Sequence, residues 1–389
     1  MTSKIFAALL LLGVATVSAA SAQTTYIAFG DSITEGFGDD DPTSTDIDKG
    51  YPVRLEDLLE NAGQAADVEN HGFGGERTIE AVTRIGPILS MAQSGDVLLL
   101  MEGTNDISRN IGFETTIFNL DSMADRAERR GIKAVHATVI PRIPNAEVDR
   151  ENFLTQQMNG LIRNLADLRG RDLADPFEVF LREPGLFARL YSNDPKDPVG
   201  HPNGAGYDLL AEVFFNVLTN VDDVPPVHGA MRPFNGQRGV QPGTSIDVDV
   251  LDFGVGIDLS ATSLLINGEV VPATITGNSK RIKLFYQPSQ PMQGSISIGL
   301  RSRDLATPPN TVDREIARYR TRGTGAALLD GDLNEDGRVD GTDLITFGRS
   351  FGASRGERRF EPRADFNEDG RIDGVDLATL ASNFGQTSF

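Results

Sequence analysis

The stretch that decides the fold of the N-terminal half is Tyr26-Ile27-Ala28-Phe29-Gly30-Asp31-Ser32-Ile33-Thr34-Glu35-Gly36. Its first four residues form a continuous apolar run, which is typical of a strand buried on both faces. The residues after it predict that a helix begins where the strand ends. A serine at this junction projects from the edge of a sheet, where a neighbouring base can activate its hydroxyl as a nucleophile. On its own, Asp31-Ser32 fits a helix N-cap equally well.

The same alternation continues along the chain to about residue 220. Further candidate strands are residues 68–70, 97–101, 134–139 and 172–174, and the first is residues 26–29. Helical patterns lie between them at residues 53–61, 78–91, 121–130, 152–168 and 205–218. Continuous apolar strands that alternate with helices predict a parallel sheet covered by helices on both faces. Ligands of such sheets bind beyond the carboxyl ends of the strands.

Three more polar segments follow candidate strands or open the last helix. The glycines of residues 70–78 allow backbone N–H groups to face a ligand. Asn105, after the third strand, carries an amide that can donate to a developing oxyanion. His201 precedes Pro202 at the start of the last helix, which holds it in a fixed, exposed place.

Together, these four segments resemble the SGNH (GDSL-type) hydrolase family, from about residue 25 to residue 218. The resemblance implies a flavodoxin-like three-layer α/β sandwich and the hydrolysis of carboxylic esters. It further implies that Ser32 is the nucleophile and His201 the general base. The oxyanion hole would then consist of the backbone N–H groups of Ser32 and Gly75 and the side chain of Asn105.

One position departs from the pattern of the family, which places an aspartate three residues before the histidine. Here that residue is Pro198; Asp197 lies four residues before His201, and Asp194 lies further away. We expect Asp197 to orient His201. The alternative is a Ser–His dyad in which a backbone carbonyl takes this part.

The composition excludes several other kinds of site. The chain has no cysteine, so disulfides and thiolate zinc sites are excluded, and no His-Glu-x-x-His or P-loop motif is present. A net charge of −20 disfavours nucleic acid, whose phosphates would repel it. Of the remaining histidines, we expect His136 to be buried in a strand and His228, which follows a linker, to be exposed.

The pattern changes after the acidic, proline-rich linker at residues 222–226. Residues 244–251 and 295–300 alternate between apolar and polar side chains, as half-buried strands do. Asn267-Gly268 separates two short apolar runs and is a strong signal for a β-hairpin. This region predicts a β-sandwich and resembles bacterial Ig-like modules.

The C-terminal region contains an internal repeat with an offset of 33 residues. Asp332-Leu-Asn-Glu-Asp-Gly-Arg-Val-Asp-Gly-Thr-Asp343 recurs as Asp365-Phe-Asn-Glu-Asp-Gly-Arg-Ile-Asp-Gly-Val-Asp376. Oxygen ligands at positions 1, 3, 5, 7, 9 and 12 with glycine at position 6 are typical of calcium loops. The predicted ligands are Asp332, Asn334, Asp336, the Arg338 carbonyl, Asp340, Asp343, Asp365, Asn367, Asp369, the Arg371 carbonyl, Asp373 and Asp376. The alternative is an acidic, solvated tail.

Aspartate at position 12, with an apolar helix after each loop, resembles a type I dockerin. The resemblance implies two structural calcium ions and a cohesin partner. Positions 10 and 11 of the loops, Gly341-Thr342 and Gly374-Val375, differ from the frequent hydroxyl pair. Another cell-surface module as partner, or a purely structural role, therefore stays open.

The N-terminus has the features of a signal peptide, with Lys4, an apolar run and Ala20-Ser21-Ala22 before a cleavage point. A membrane anchor is the alternative. We expect a signal peptide at residues 1–22, a hydrolase domain at 23–220, an Ig-like module at 225–323 and a dockerin-like module at 328–389.

These features predict a secreted serine esterase that works through an acyl-enzyme and needs no cofactor for catalysis. Its substrate would be an acetyl group on a polysaccharide or a lipid ester. A non-catalytic surface- or matrix-binding calcium protein is the alternative from another class.

Overall fold

We describe the fold from a computed structural model. The structure describes residues 23–41, 49–143, 149–192 (backbone only for 149–151), 197, 200–321, 331–333, 338–355, 357, 359–367 and 369–386. The predicted signal peptide lies outside these residues. Within them, no helix combines the length and the apolar character that crossing a bilayer requires.

The N-terminal half is built on a five-stranded parallel sheet with the strand order β2-β1-β3-β4-β5. Its strands are β1 (Thr24–Gly30), β2 (Ala66–Gly72), β3 (Val97–Met101), β4 (Lys133–Ala137) and β5 (Asp172–Ala174). All five predicted strands are present, and the parallel sheet is confirmed.

Helices cover both faces of this sheet and complete a three-layer sandwich. They are α1 (Ser32–Glu35), α2 (Tyr51–Asn61), α3 (Thr78–Met91), α4 (Thr104–Ser108), α5 (Phe113–Glu128), α6 (Asp149–Arg169), α7 (Pro176–Arg182), α8 (Leu186–Arg189) and α9 (Gly204–Leu218). Side chains of α2 and α7–α9 fill the core on one face, and side chains of α3–α6 fill the core on the other. The predicted flavodoxin-like class is confirmed.

The alternation of side chains along β1 explains why the strand needs a continuous apolar run. Tyr26 and Ala28 point into the core beneath α2 and α9, whereas Ile27 and Phe29 point into the core beneath α3 and α5. Successive residues of a strand face opposite sides, so a strand covered on both sides must be apolar throughout.

A β-sandwich follows, made of two four-stranded sheets. Its strands are β6 (Val227–Arg232), β7 (Ile246–Leu251), β8 (Ser263–Ile266), β9 (Glu269–Val271), β10 (Thr274–Gly277), β11 (Arg281–Tyr286), β12 (Ser295–Arg303) and β13 (Thr311–Arg320). The sheets have the orders β10-β11-β7-β6 and β13-β12-β8-β9, with antiparallel pairing throughout. The predicted hairpin joins β8 to β9, and both turn residues, Asn267 (φ 51°) and Gly268 (φ 85°), have the positive φ of a type I′ turn.

The C-terminal region contains two helices, α10 (Gly341–Ser350) and α11 (Gly374–Asn383). Asp340 and Asp373 cap their N-termini at equivalent points of the two repeats. A separate small core that includes Phe347, Ile372 and Leu380 holds the two repeats together.

A fully buried arginine joins the α/β region to the β-sandwich. The Arg163 guanidinium of α6 binds the Asp175 carboxylate at 2.7 and 3.1 Å. It also donates to the His228 carbonyl of β6 at 2.8 Å. The prediction that His228 is exposed is wrong: α6 packs over β6, and the histidine side chain is 2% exposed. Burial lowers the pKa of His228 well below its ordinary value.

We expect Arg163→Ala to lower the free energy of unfolding by about 3–5 kcal/mol, because it leaves the buried Asp175 carboxylate without its partner. Denaturant unfolding measures the loss. Arg129→Ala is the matched control, since its pair with Asp125 is exposed and worth about 1 kcal/mol or less. Equal effects of the two substitutions would contradict the role given to Arg163.

Candidate active site

Ser32 and His201 are in direct hydrogen-bond contact. Ser32 is the first residue of α1, directly after β1, and its Oγ lies 2.8 Å from Nε2 of His201. The Asp31 side chain caps α1 by accepting from the Ile33 N–H at 2.9 Å. The capping role of this motif therefore belongs to Asp31, and the Ser32 hydroxyl stays directed at the imidazole.

Asp197 holds the other side of the imidazole. Its Oδ2 lies 2.9 Å from His201 Nδ1 and also accepts the His201 backbone N–H at 2.6 Å. Gly200 takes a left-handed conformation (φ 75°) and donates its N–H to Asp197 Oδ1 at 3.1 Å. This tight bend accommodates the extra residue between the aspartate and the histidine. Asp194 lies outside the described residues.

Two opposing effects set the pKa of Asp197. Burial raises it, but the hydrogen bonds from the side chain and backbone of His201 and from Gly200 outweigh burial. The net pKa lies below the ordinary value of an aspartate. The carboxylate is therefore ionised at neutral pH and accepts a hydrogen bond from the Nδ1–H of His201. Nε2 is then unprotonated and can accept from the Ser32 hydroxyl.

Gly75 and Asn105 lie on the same edge, after β2 and β3. Gly75 has a positive φ (77°), and no atom lies within 4 Å of the position that a Cβ would take there. The Asn105 amide donates to the Glu76 carbonyl at 2.8 Å, and a longer contact of 3.4 Å joins it to Asp31 Oδ2. The first contact fixes the orientation of the amide.

These residues open onto one cavity of about 320 Å³. Its lining consists of Ser32, Ile33, Glu35, Phe37, Gly74, Gly75, Thr104, Asn105, Ser108, Ile140, Pro141, Arg142, Gly200 and His201. The structure thus brings together all five predicted site residues, with Asp197 behind His201.

Comparison with known families agrees with this geometry. Residues 28–209 match the GDSL-like lipase/acylhydrolase family, and residues 330–384 match the type I dockerin domain. Residues 28–209 form a GDSL-like lipase/acylhydrolase domain. The predicted enzyme class, a carboxylic ester hydrolase, is confirmed. The C-terminal domain is a dockerin, which is a calcium-binding module.

Solved structures of similar fold include a G-D-S-L family lipolytic protein from Veillonella parvula (21% identity, TM-score 0.42, covering 50% of this chain and 98% of that one). Another is an acetylxylan esterase from Geobacillus stearothermophilus (20% identity, TM-score 0.41, covering 50% of this chain and 94% of that one). A third is a GDSL-like lipase from Bacteroides thetaiotaomicron (22% identity, TM-score 0.37, covering 50% of this chain and 88% of that one). None of the curated proteins compared with the chain matches it.

Buried acids beneath the catalytic edge of the GDSL domain were not singled out from the sequence. Asp106 accepts from the Thr78 N–H at 2.9 Å and from the hydroxyls of Thr78 and Thr116 at 2.5 and 2.9 Å. It thereby ties the loop after β2 to the loop after β3. The signal was present, because Asp106 directly follows Asn105 in the same motif.

Two further acids in this layer have raised pKa values. Burial is the main cause for Asp31, whose pKa is raised to about 6. Burial, followed by the charges of Asp31 and Glu76, raises the pKa of Glu102 well above its ordinary value. Both shifts favour the neutral form of these carboxyl groups.

The dockerin carries the other predicted site residues. Asn334 and Asp336 lie outside the described residues; the other ten predicted ligands are described. Asp343 and Asp376 are fully buried at equivalent positions and accept the N–H groups of Leu333 and Phe366, both at 2.8 Å. Gly370, at position 6, has the positive φ (86°) of calcium loops. The hard oxygen donors of the second loop therefore fit calcium. Among the described residues, no group of three or more Asp, Glu or His side chains is placed to hold a metal ion.

We expect Asp197→Asn to lower kcat by about 10⁴, because the amide no longer holds the imidazole in the reactive tautomer. Asp194→Asn is the control for the same change nearby and should leave kcat within about twofold of wild type. Steady-state kinetics on a short acyl ester measure both. Near wild-type activity of Asp197→Asn would mean that a dyad suffices.

Proposed function

We propose that the chain is a secreted serine esterase that removes short acyl groups, in particular acetyl, from carbohydrate hydroxyls. The observation that carries the proposal is the continuous relay from Asp197 through His201 to Ser32, which ends at the cavity. A non-catalytic binding protein has no use for a serine hydroxyl held 2.8 Å from an imidazole nitrogen.

In the proposed mechanism, Ser32 Oγ attacks the ester carbonyl while His201 Nε2 takes the hydroxyl proton. The tetrahedral intermediate collapses, the bond to the alcohol oxygen breaks, and His201 returns the proton to the leaving alcohol. Water, deprotonated by the same nitrogen, then attacks the acyl-enzyme. The acid leaves and Ser32 regains its proton. Asp197 stabilises the imidazolium in both halves.

Three donors are proposed to hold the oxyanion: the N–H groups of Ser32 and Gly75 and one N–H of Asn105. One hydrogen of the Asn105 amide is engaged by Glu76 at 2.8 Å. The other makes only the 3.4 Å contact with Asp31, so it is the one that turns to the oxyanion. The donors follow β1, β2 and β3, whose carboxyl ends meet at one edge.

The size of the cavity favours a short acyl group. About 320 Å³ lies at the lower limit of the roughly 300–1,000 Å³ typical of ligand pockets. That volume suits an acetyl group and part of its alcohol better than a long chain. The apolar residues Ile33, Ile140 and Pro141 in the lining favour a second candidate, a lipase or lysophospholipase.

For the C-terminal dockerin, we propose two structural calcium ions held by the two loops, with no ligand shared with the catalytic site. We further propose that this domain attaches the enzyme to a cohesin-like or other cell-surface module. The residues at positions 10 and 11, Gly341-Thr342 and Gly374-Val375, are exposed and available for such a contact. Export rests on the sequence of residues 1–22.

A series of nitrophenyl esters distinguishes the two candidates. We expect kcat/KM to be highest for acetyl and to fall by about tenfold or more by octanoyl, because an octanoyl chain and the nitrophenyl group together need more room than the cavity offers. Ser32→Ala should abolish hydrolysis of all of them, and a fluorophosphonate label should bind wild type alone. A maximum at long chains would favour the lipase. Activity in Ser32→Ala would overturn the mechanism.

Removal of calcium should unfold the dockerin, because metal binding and folding are coupled in such modules. The kcat of ester hydrolysis should stay within about twofold of its value with calcium. Calorimetry with and without EDTA should show the loss of one transition, and added calcium should restore it. Hydrolysis of a nitrophenyl acetate is followed in parallel. A loss of activity with EDTA would mean that a metal supports the GDSL domain itself.

A further inference from the structure

Glu35 is a carboxylate in the catalytic cavity that the mechanism does not use. It is the last residue of α1, three residues after the nucleophile, and it lines the same cavity as Ser32 and His201. In the described part of the chain, its carboxylate has no hydrogen bond or ion pair. Glu76, on the neighbouring loop, is by contrast paired with Arg84 at 2.7 and 3.0 Å. The Glu35 carboxylate is therefore available to a ligand.

The position of this carboxylate follows from its contact with Gly74. A Cβ at Gly74 would lie 2.8 Å from Oε2 of Glu35 and 4.0 Å from Cβ of Ser32. The carboxylate thus lies beside the backbone that leads into Gly75, close to the nucleophile. A Cβ at residue 74 would therefore force the end of the Glu35 side chain to shift.

Phe37 supplies an aromatic surface next to this carboxylate in the sequence and in the cavity. Its ring is 52% exposed and packs edge-on against His201, with ring centroids 4.7 Å apart. The Phe37 backbone is held firmly, because its N–H donates to the Ser32 carbonyl at 2.9 Å and its carbonyl accepts from the Tyr207 hydroxyl at 2.7 Å. The ring is therefore a fixed surface at the general base, where the alcohol of the ester leaves.

We propose that Glu35 and Phe37 form the subsite for the alcohol part of the ester, and that this subsite selects a neutral, polyhydroxylated ring. The carboxylate accepts hydrogen bonds from ring hydroxyls, and such charge-assisted bonds are about twice as strong as neutral ones. The phenyl ring packs against the C–H face of the sugar. The same charge repels alcohols that carry a carboxylate or phosphate. This inference deepens the proposed function and rests on it.

A quaternary ammonium alcohol is the other class of ligand that a carboxylate and an aromatic ring can bind. Such cations are usually enclosed by several aromatic rings. Among the described residues that line the cavity, Phe37 is the one phenyl, phenol or indole side chain. A single ring that leaves one side open suits packing against the C–H face of one sugar ring, and we therefore favour the sugar.

The test compares alcohol parts at a constant acyl group. Acetylated xylo-oligosaccharide supplies hydroxyls, phenyl acetate is the reference without them, and acetylsalicylate adds a carboxylate to that reference. Glu35→Ala should lower the ratio of kcat/KM for the sugar ester over phenyl acetate by about ten- to a hundredfold, the loss expected for a hydrogen bond to a charged group. Glu35→Gln should lower it less, because the amide oxygen still accepts. Both variants should raise the ratio of acetylsalicylate over phenyl acetate.

Glu60→Gln, the same change at an exposed glutamate of α2, should leave every ratio unchanged. If the kcat/KM ratios of the Glu35 variants equal those of wild type, the subsite is overturned. This holds whether kcat/KM falls equally for all esters or for none. Acetylcholine is assayed in parallel as an ester of a cationic alcohol. A fall in kcat/KM of the Glu35 variants confined to acetylcholine would overturn the sugar subsite and assign Glu35 to a cationic alcohol. A wild type that is inactive on phenyl acetate would overturn the esterase mechanism. Activity on phenyl acetate without any on the sugar ester would overturn the carbohydrate assignment together with the subsite.

Discussion

The reversal of strand order at β1 is the constraint on which the site depends. β1 pairs in parallel with β2 on one side and with β3 on the other, so three consecutive strands deliver their carboxyl ends to adjacent points of one edge. Ser32, Gly75 and Asn105 each follow one of these strands within a few residues. Pairing in both directions requires β1 to lie inside the sheet and to be apolar on both faces. Ser32, the proposed nucleophile, therefore follows one of the most buried strands of the described residues.

Burial of charge accompanies this arrangement. Asp106 is almost completely buried, yet its carboxylate is satisfied by Thr78 and Thr116 and costs little. Glu102 is equally buried, and its burial and the neighbouring acids raise its pKa well above the ordinary value. Asp197, by contrast, remains ionised because three hydrogen bonds from its own loop stabilise the charge. Asp197 thus places its negative charge on the side of the imidazole that is away from Ser32.

The sequence predicted most elements of the α/β fold, since continuous apolar runs and glycine-rich segments are direct signals of buried strands and of the loops after them. Prediction from the sequence was weaker for features that depend on tertiary contacts. Helix α5 begins at Phe113, earlier than the predicted residue 121, because Thr115, Thr116 and Ile117 are β-branched and weaken the local helix signal. Packing of Phe113 and Ile117 against the core stabilises this first part. The burial of His228 depends on the docking of α6, which no local pattern encodes. The contact of Asp197 with the His201 imidazole depends on the φ of Gly200. The spacing alone therefore left open whether Asp197 or a backbone carbonyl orients His201. Glu35 resembles any helical surface glutamate until the fold turns it toward the cavity.

A buried arginine shared by the α/β region and the β-sandwich limits how such chains can be recombined. Arg163 binds Asp175 within its own region and the His228 carbonyl of the next. A fusion made at the linker of residues 222–226 would remove the His228 carbonyl from Arg163 and expose the face of α6 that packs on β6. The dockerin has a hydrophobic core of its own, and in the described part of the chain this core includes no residue of the other two regions. We therefore expect recombined chains to keep the α/β region and the β-sandwich together. The dockerin is the part that can be exchanged.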